Sequence, residues 1–153
     1  MKLATASMFV AIASVCLTTG LLASPEKGLE IAIEADNRDK GFGDSTALMT
    51  MVLMDKYGQS TERAIRNRTL EGSNEGDKSL VIFDSPGDVR GTAFLSHTKK
   101  ADSDDQWLYL PALKRVKRIA SSNKAGPFMG SEFSYEDIAS QEVEKYTYNY
   151  LRD

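Results

Sequence analysis

Two stretches of this chain are apolar on both alternating sets of a β-strand pattern, and this restricts the folds open to it. Ser45–Met54 carries Ala47, Met49, Met51 and Leu53 on one set and Leu48, Val52 and Met54 on the other, and Leu80–Phe83 is apolar throughout. An antiparallel strand with one wet face alternates apolar with polar residues. Two apolar faces therefore require cover on both sides, or an apolar cleft on one of them. Core packing is the commoner cause of such a pattern. A lipid-sized cleft is the alternative, and Met49, Met51 and Met54 suit it because thioether side chains are flexible and polarizable.

The other elements follow from periodicity and turn chemistry. Ser24, Pro25 and Glu26 predict a helix start, with proline at the first helical position and an acid in the first turn. Leu29, Ile31 and Ile33 give that helix an imperfect apolar stripe, which should end near Gly41. Ser45–Met54 and Ser60–Leu70 flank the turn residues Lys56-Tyr57-Gly58-Gln59 and predict a hairpin. After a polar connection at Glu71–Asp77 come a strand at Ser79–Phe83, stopped by Asp84-Ser85-Pro86-Gly87, and another at Thr92–His97. Lys99–Asp105 is too charged to be buried and should form an exposed loop.

Gln106–Leu110 and Lys114–Ile119 predict a second hairpin around Pro111-Ala112-Leu113. Leu113, Val116 and Ile119 also fit a helical spacing, but the aromatic run before Pro111 has no helix-capping residue and favours strands. A loop over Ala120–Met129, a short helical turn within Ser131–Ile138 and a strand over Glu142–Leu151 complete the pattern. Tyr146, Tyr148 and Tyr150 share one side of that last strand. Because the sequence stops there, an uncovered pairing edge and a partial domain are expected.

The N-terminal segment has the layout of a secretory signal. Lys2 is followed by no charge before Glu26, the apolar centre lies at Met8–Leu17, and Ala23 and Ser24 are small, so cleavage is expected after Ala23. The uncharged run Leu3–Pro25 is long enough to cross a bilayer, but Thr5, Ser7, Ser14, Thr18, Thr19 and Gly20 interrupt it and no basic stop-transfer flank follows. Cys16 follows Val15, a larger residue than lipoprotein processing favours, and is read as part of the signal. Residues 24–153 then form one exported domain without cysteine, dependent on an ordinary core. The net charge of −3 argues against general nucleic-acid binding.

No catalytic, metal or cofactor constellation is recognisable. His97, the single histidine, lacks spaced Cys or carboxylate partners and reads as a surface side chain at a strand end. Asp102, Asp104 and Asp105 have part of a calcium loop's composition but not its glycine or terminal Glu. The run Lys114, Arg115, Lys117 and Arg118 is most simply a solvated strand face. Its functional reading is contact with anionic headgroups or an acidic partner, to which Arg63, Arg66 and Arg68 could add.

The run Trp107-Leu108-Tyr109-Leu110-Pro111-Ala112-Leu113-Lys114-Arg115-Val116 is preceded by Asp84-Ser85-Pro86. It is followed by Phe128-Met129-Gly130-Ser131-Glu132-Phe133-Ser134-Tyr135-Glu136-Asp137. Together they resemble the LolA-like outer membrane lipoprotein-sorting proteins, in the branch often encoded beside RND-type exporters. The resemblance implies a mainly β (α+β) fold: a curved antiparallel sheet forming an incomplete, half-open β-barrel, with an N-terminal helix and short helices covering an apolar concave face. Family members run longer, so C-terminal strands are expected beyond this sequence.

With the two-faced strands, the resemblance implies a cavity lined by Met49, Met51, Leu53, Phe83, Phe94, Trp107 and Tyr109. Phe128, Met129 and Phe133 would stand at its mouth, with Lys114, Arg115, Lys117 and Arg118 facing anionic headgroups or a partner. The expected function is a non-enzymatic periplasmic carrier of lipoprotein acyl chains or another apolar, lipid-like molecule, with no cofactor and no nucleic acid. Expected partners are an RND-type exporter or an outer-membrane acceptor, with peripheral membrane contact. The alternative is an accessory module of such an exporter with no ligand of its own.

Overall fold

Each antiparallel strand pair assigns its side chains to one of two sheet faces, and the strand order makes those assignments continuous across the molecule. The computed structural model describes residues 24–152, so the signal expected over residues 1–23 lies outside the described residues. Helix α1 (Pro25–Arg38) precedes six strands: β1 (Asp44–Met54), β2 (Ser60–Leu70), β3 (Lys78–Phe83), β4 (Ala93–His97), β5 (Asp105–Leu110) and β6 (Arg115–Ile119). They form one sheet in sequence order, antiparallel throughout. The sheet is not closed on itself, and it has the mainly β architecture of a curved, incomplete barrel with one helix.

Local chemistry explains the element ends. Ser24 caps α1 through its Oγ, which accepts from the Lys27 amide, and Pro25 occupies the first turn, where its missing N–H costs nothing. In the β1–β2 turn, the Asp55 carboxylate accepts from the amides of Tyr57 and Gln59 at 2.8 and 2.9 Å, and Gly58 takes a φ of +82°. The Glu71 carboxylate accepts from the amides of Gly41 and Gly43 at 2.6 and 2.8 Å, tying the linker before β1 to the end of β2. These donors hold the Glu71 carboxyl below its ordinary range.

The core lies on one face. Ile65, Val81, Phe83, Phe94, Leu108 and Ile119 point to it from five strands, and Phe128 joins them from the segment after β6. The Phe128 ring is fully buried, 6.0 Å from Phe83, 5.3 Å from Phe94 and 5.4 Å from Tyr135. Edge-on aromatic packing of this kind adds to the gain from burying the rings. Three long side chains hold the covering segment down through main-chain carbonyls: Arg63 donates to Met129, Gln106 to Tyr135, and Lys124 to Asp104.

Three expected features differ. The helical turn within Ser131–Ile138 instead falls at Phe128–Gly130, where Met129 sits at φ +51° and aims Phe128 inward; Ser131–Ile138 is organised by turns, with Asp137 accepting from Ser134. Glu142–Leu151 is not a strand. It holds a 3-10 turn at Val143–Lys145 and pairs with the rest of the molecule at one bridge, Ser24 with Tyr150, because no described strand lies alongside it. The Lys99–Asp105 loop is only partly exposed, since Asp104 is half-buried and accepts from the Lys99 amide and from Lys145 Nζ. Paired charges can enter a protein interior where lone ones cannot.

Helix α1 contributes no buried residue, and Leu29, Ile31 and Ile33 stay exposed. Its contact is with the C-terminal tail, where Gly28 lies so close to the Tyr150 amide that an added Cβ would approach it to 2.9 Å. The core therefore depends on Phe128 rather than on α1. We expect Phe128→Ala to cost about 3–5 kcal/mol of unfolding free energy in urea denaturation. Phe133→Ala, five residues on and 55% exposed, should cost less than about 1 kcal/mol; similar losses for both would show that the segment does not depend on the Phe128 contact.

Candidate functional site on the core face

The covering segment reaches from β5 to β2 but leaves the β1 margin of the core face open. On β1, Met49 is 45% exposed while Met51 and Leu53 are half-buried; directly across, on β2, are Ile65, Arg63 and Thr61. Met51 and Met129 both pack on the core cluster, and Arg63 Nη1 donates to the Met129 carbonyl at 2.7 Å. The result is an apolar strip along β1 bounded by the edge of the covering segment at Met129.

A second, polar band crosses the same face. Ser79, Ser96 and Gln106 lie directly opposite one another on β3, β4 and β5, all buried, with Asn67 one strand further and one step along. Gln106 Nε2 donates to the Tyr135 carbonyl at 3.0 Å. Its Oε1, the hydroxyls of Ser79 and Ser96, and the Asn67 carbonyl oxygen have no protein partner. The core face thus combines an apolar strip at its β1 margin with a buried row of polar side chains.

The seven residues expected to line one cavity do not share a face. Met49, Met51, Leu53, Phe83 and Phe94 point to the core face. Trp107 lies across from Leu95, and Tyr109 across from Ala93, on the opposite, outer face. The alternation is as expected for β5, but Leu108 and Gln106 are its inward residues, both buried. Phe83 and Phe94 are in place yet covered by Phe128, which is a core residue; Met129 packs partly buried against the core and Phe133 is exposed.

The basic run is also divided. Arg115 and Lys117 point to the core-face side of β6, Lys114 occupies a left-handed turn position at φ +49°, and Arg118 lies on the outer face in an ion pair with Asp105. Of the three β2 arginines, Arg63 is on the core face and Arg66 and Arg68 on the outer face. Arg66 forms a two-pronged pair with Asp84 at 2.8 and 2.9 Å. His97 packs edge-on against Trp107 at 5.1 Å. Among the described residues, no group of three or more His, Cys, Asp or Glu is placed to hold a metal ion, and no helix is long and apolar enough to cross a membrane.

Sequence reasoning missed a charged cluster beneath the covering segment. Lys124 is buried, and burial pushes its amine below the ordinary lysine range. It reaches the Asp104 carbonyl, while Lys145 reaches the Asp104 carboxylate. Next along the chain, Asp105 pairs with Lys99 at 2.8 Å and with Arg118. Hydrogen bonds from these two cations hold the Asp105 carboxyl down at about 2. A lysine in a glycine- and proline-bearing loop gives no sequence signal of burial.

An open, sequentially wound antiparallel sheet with a partly covered apolar face is a half-barrel of the LolA-like class. A family model described as that of an uncharacterized protein matches residues 75–153. The chain is similar to an outer membrane lipoprotein-sorting protein domain from Vibrio parahaemolyticus, with 60% identity and a TM-score of 0.78, covering 80% of this chain and 52% of that one. It is also similar to a DUF1329 family protein from Desulfovibrio piger, with 32% identity and a TM-score of 0.74, covering 82% of this chain and 53% of that one. The chain belongs to this LolA-like family. It spans about half the length of the solved structures it matches. No curated protein matches it.

The Asp105 pairs make a pH prediction. A carboxyl held below its ordinary value in the folded state adds stability that is present above about pH 4 and is lost as pH falls toward about 2. Asp105→Asn removes that titration. Acid titration followed by circular dichroism should therefore show the native protein losing stability more steeply than Asp105→Asn between about pH 4 and pH 2, and parallel curves would contradict the assignment.

Proposed function

We propose that the chain is a non-enzymatic carrier domain, residues 24–153, that shelters an acyl chain of a lipoprotein or another lipid-like molecule in the bacterial envelope. The supporting observation is the open β1 margin of the core face, where Met49, Met51 and Leu53 form an uncharged apolar strip, with Met51 and Met129 both packed on the core cluster. Burial along such a strip yields about 0.8 kcal/mol per methylene, so even part of an acyl chain would be held by several kcal/mol. The name of the Vibrio parahaemolyticus relative, an outer membrane lipoprotein-sorting protein domain, supports the same class of cargo. A periplasmic location and an N-terminal export signal belong to this reading.

A second reading rests on the β6 hairpin. Lys114, Arg115 and Lys117 are exposed and form no ion pair among the described residues. They could dock the domain on an acidic surface of an RND-type exporter or an outer-membrane acceptor. Reversing Arg115 and Lys117 to Glu would then abolish partner binding and leave ligand uptake intact.

The carrier reading is tested by titrating delipidated protein with a fluorescent fatty-acid probe. Saturable binding is expected, weakened at least about tenfold by Met49→Glu, a change on an exposed strand edge that should leave the fold intact. Absence of saturable binding, or binding indifferent to Met49→Glu, would exclude the β1 strip as the site.

A further inference from the structure

The outer face of the sheet carries a second surface, independent of the core-face reading. Leu70, Leu80 and Leu95, from β2, β3 and β4, floor a groove of about 510 Å³. Its rim is cationic. Arg68 lies directly across from Leu80, and Lys78 lies between Leu70 and His97 on the neighbouring strands. The other outer-face arginines are matched by carboxylates, Arg66 by Asp84 and Arg118 by Asp105. Arg68 and Lys78 have no side-chain hydrogen bond or ion pair among the described residues, and the one carboxylate lining the groove, Asp44, bonds neither of them.

Strand pairing carries the groove's floor one strand beyond its lining, from Leu95 to Trp107. Arg68, Leu80, Leu95 and Trp107 stand directly opposite one another on four successive strands. This row starts at an unpaired guanidinium, crosses two leucines and ends at an aromatic ring, over three strand spacings of about 14 Å. A free anion would engage the cations but make no use of the leucine floor, and a neutral apolar molecule would leave the two cations unmatched. The geometry points to a binding site for a single-tailed anionic amphiphile. Arg68 and Lys78 hold its phosphate or carboxylate head, and its tail crosses Leu80 and Leu95 toward Trp107. A guanidinium is suited to such a head because its fork of N–H groups matches two oxygens at once.

Trp107 is the only tryptophan of the chain, so its emission reports on this face alone. The protein is titrated with dodecyl phosphate below its micelle concentration, with dodecanol and inorganic phosphate as the tail and head alone, and with phosphatidylglycerol vesicles. A saturable shift of Trp107 emission by monomeric dodecyl phosphate is expected, at least about tenfold tighter than with either part. Arg68→Gln combined with Lys78→Gln should weaken it by at least about tenfold while circular dichroism stays unchanged, since both side chains are exposed. Met49→Glu should leave it unaltered, separating this site from the core-face strip. The proposal is overturned by no saturable shift, by equal binding of dodecanol or phosphate, by unchanged affinity in the double variant, or by a response to vesicles only.

Discussion

The contact of Phe128 with Phe83 and Phe94 is the interaction on which the rest of the structure depends. A single open sheet has one face to bury, and here α1 does not bury it. The cover comes from an irregular segment, and an irregular segment stays in place only if its main-chain polar groups find partners. Arg63 and Gln106 supply some of them by donating to the Met129 and Tyr135 carbonyls, and Lys124 reaches back from the segment to the Asp104 carbonyl. The aromatic cluster gives the segment affinity for the sheet, and these bonds fix its position. Cover reaches as far as the segment does, and this limit leaves the β1 margin of the face open.

The extent of the cover separates a packing role from a binding role within one row of residues. Met49, Ile65 and Phe83 are successive partners across β1, β2 and β3, yet their exposure falls from 45% to 3% to 0%. The same apolar pattern is therefore core at one end of the row and available surface at the other. The polar band through Ser79, Ser96 and Gln106 is buried, so only the apolar β1 end of the face is accessible, and its margin is formed by Met129. That margin is held by Arg63, which also lies over the Phe83 ring at 6.0 Å.

Most of the strand framework could be read from the sequence because it rests on local signals. Asp55 and Gly58 mark one turn, Pro111 another, and Asp84-Ser85-Pro86-Gly87 ends β3. The face assignment of β5 was not legible. Alternation shows that Trp107 and Tyr109 oppose Leu108, but only pairing with β4 shows which set meets Phe94. The tail failed for a related reason. Tyr146, Tyr148 and Tyr150 alternate as a strand would, yet a strand exists only beside a partner, and the tail meets Ser24 and α1 instead. Nothing local marked Lys124 for burial, since its partners are remote in sequence.

The two sheet edges differ in a way that fits these roles. β6 is short and carries Arg115, Lys117 and Arg118, and such charges discourage unwanted pairing with another strand. β1 is eleven residues long and has no charge between Ser45 and Met54, and it pairs with β2 alone. Its side chains are apolar on both faces, with Leu48 80% exposed on the outside and Met49 on the inside. A long, uncharged edge strand is a liability unless something covers it. Under the carrier reading proposed above, an acyl chain would bury the side chains exposed along that edge. Among the described residues, the β6 edge therefore carries the charges that discourage pairing and the longer β1 edge does not.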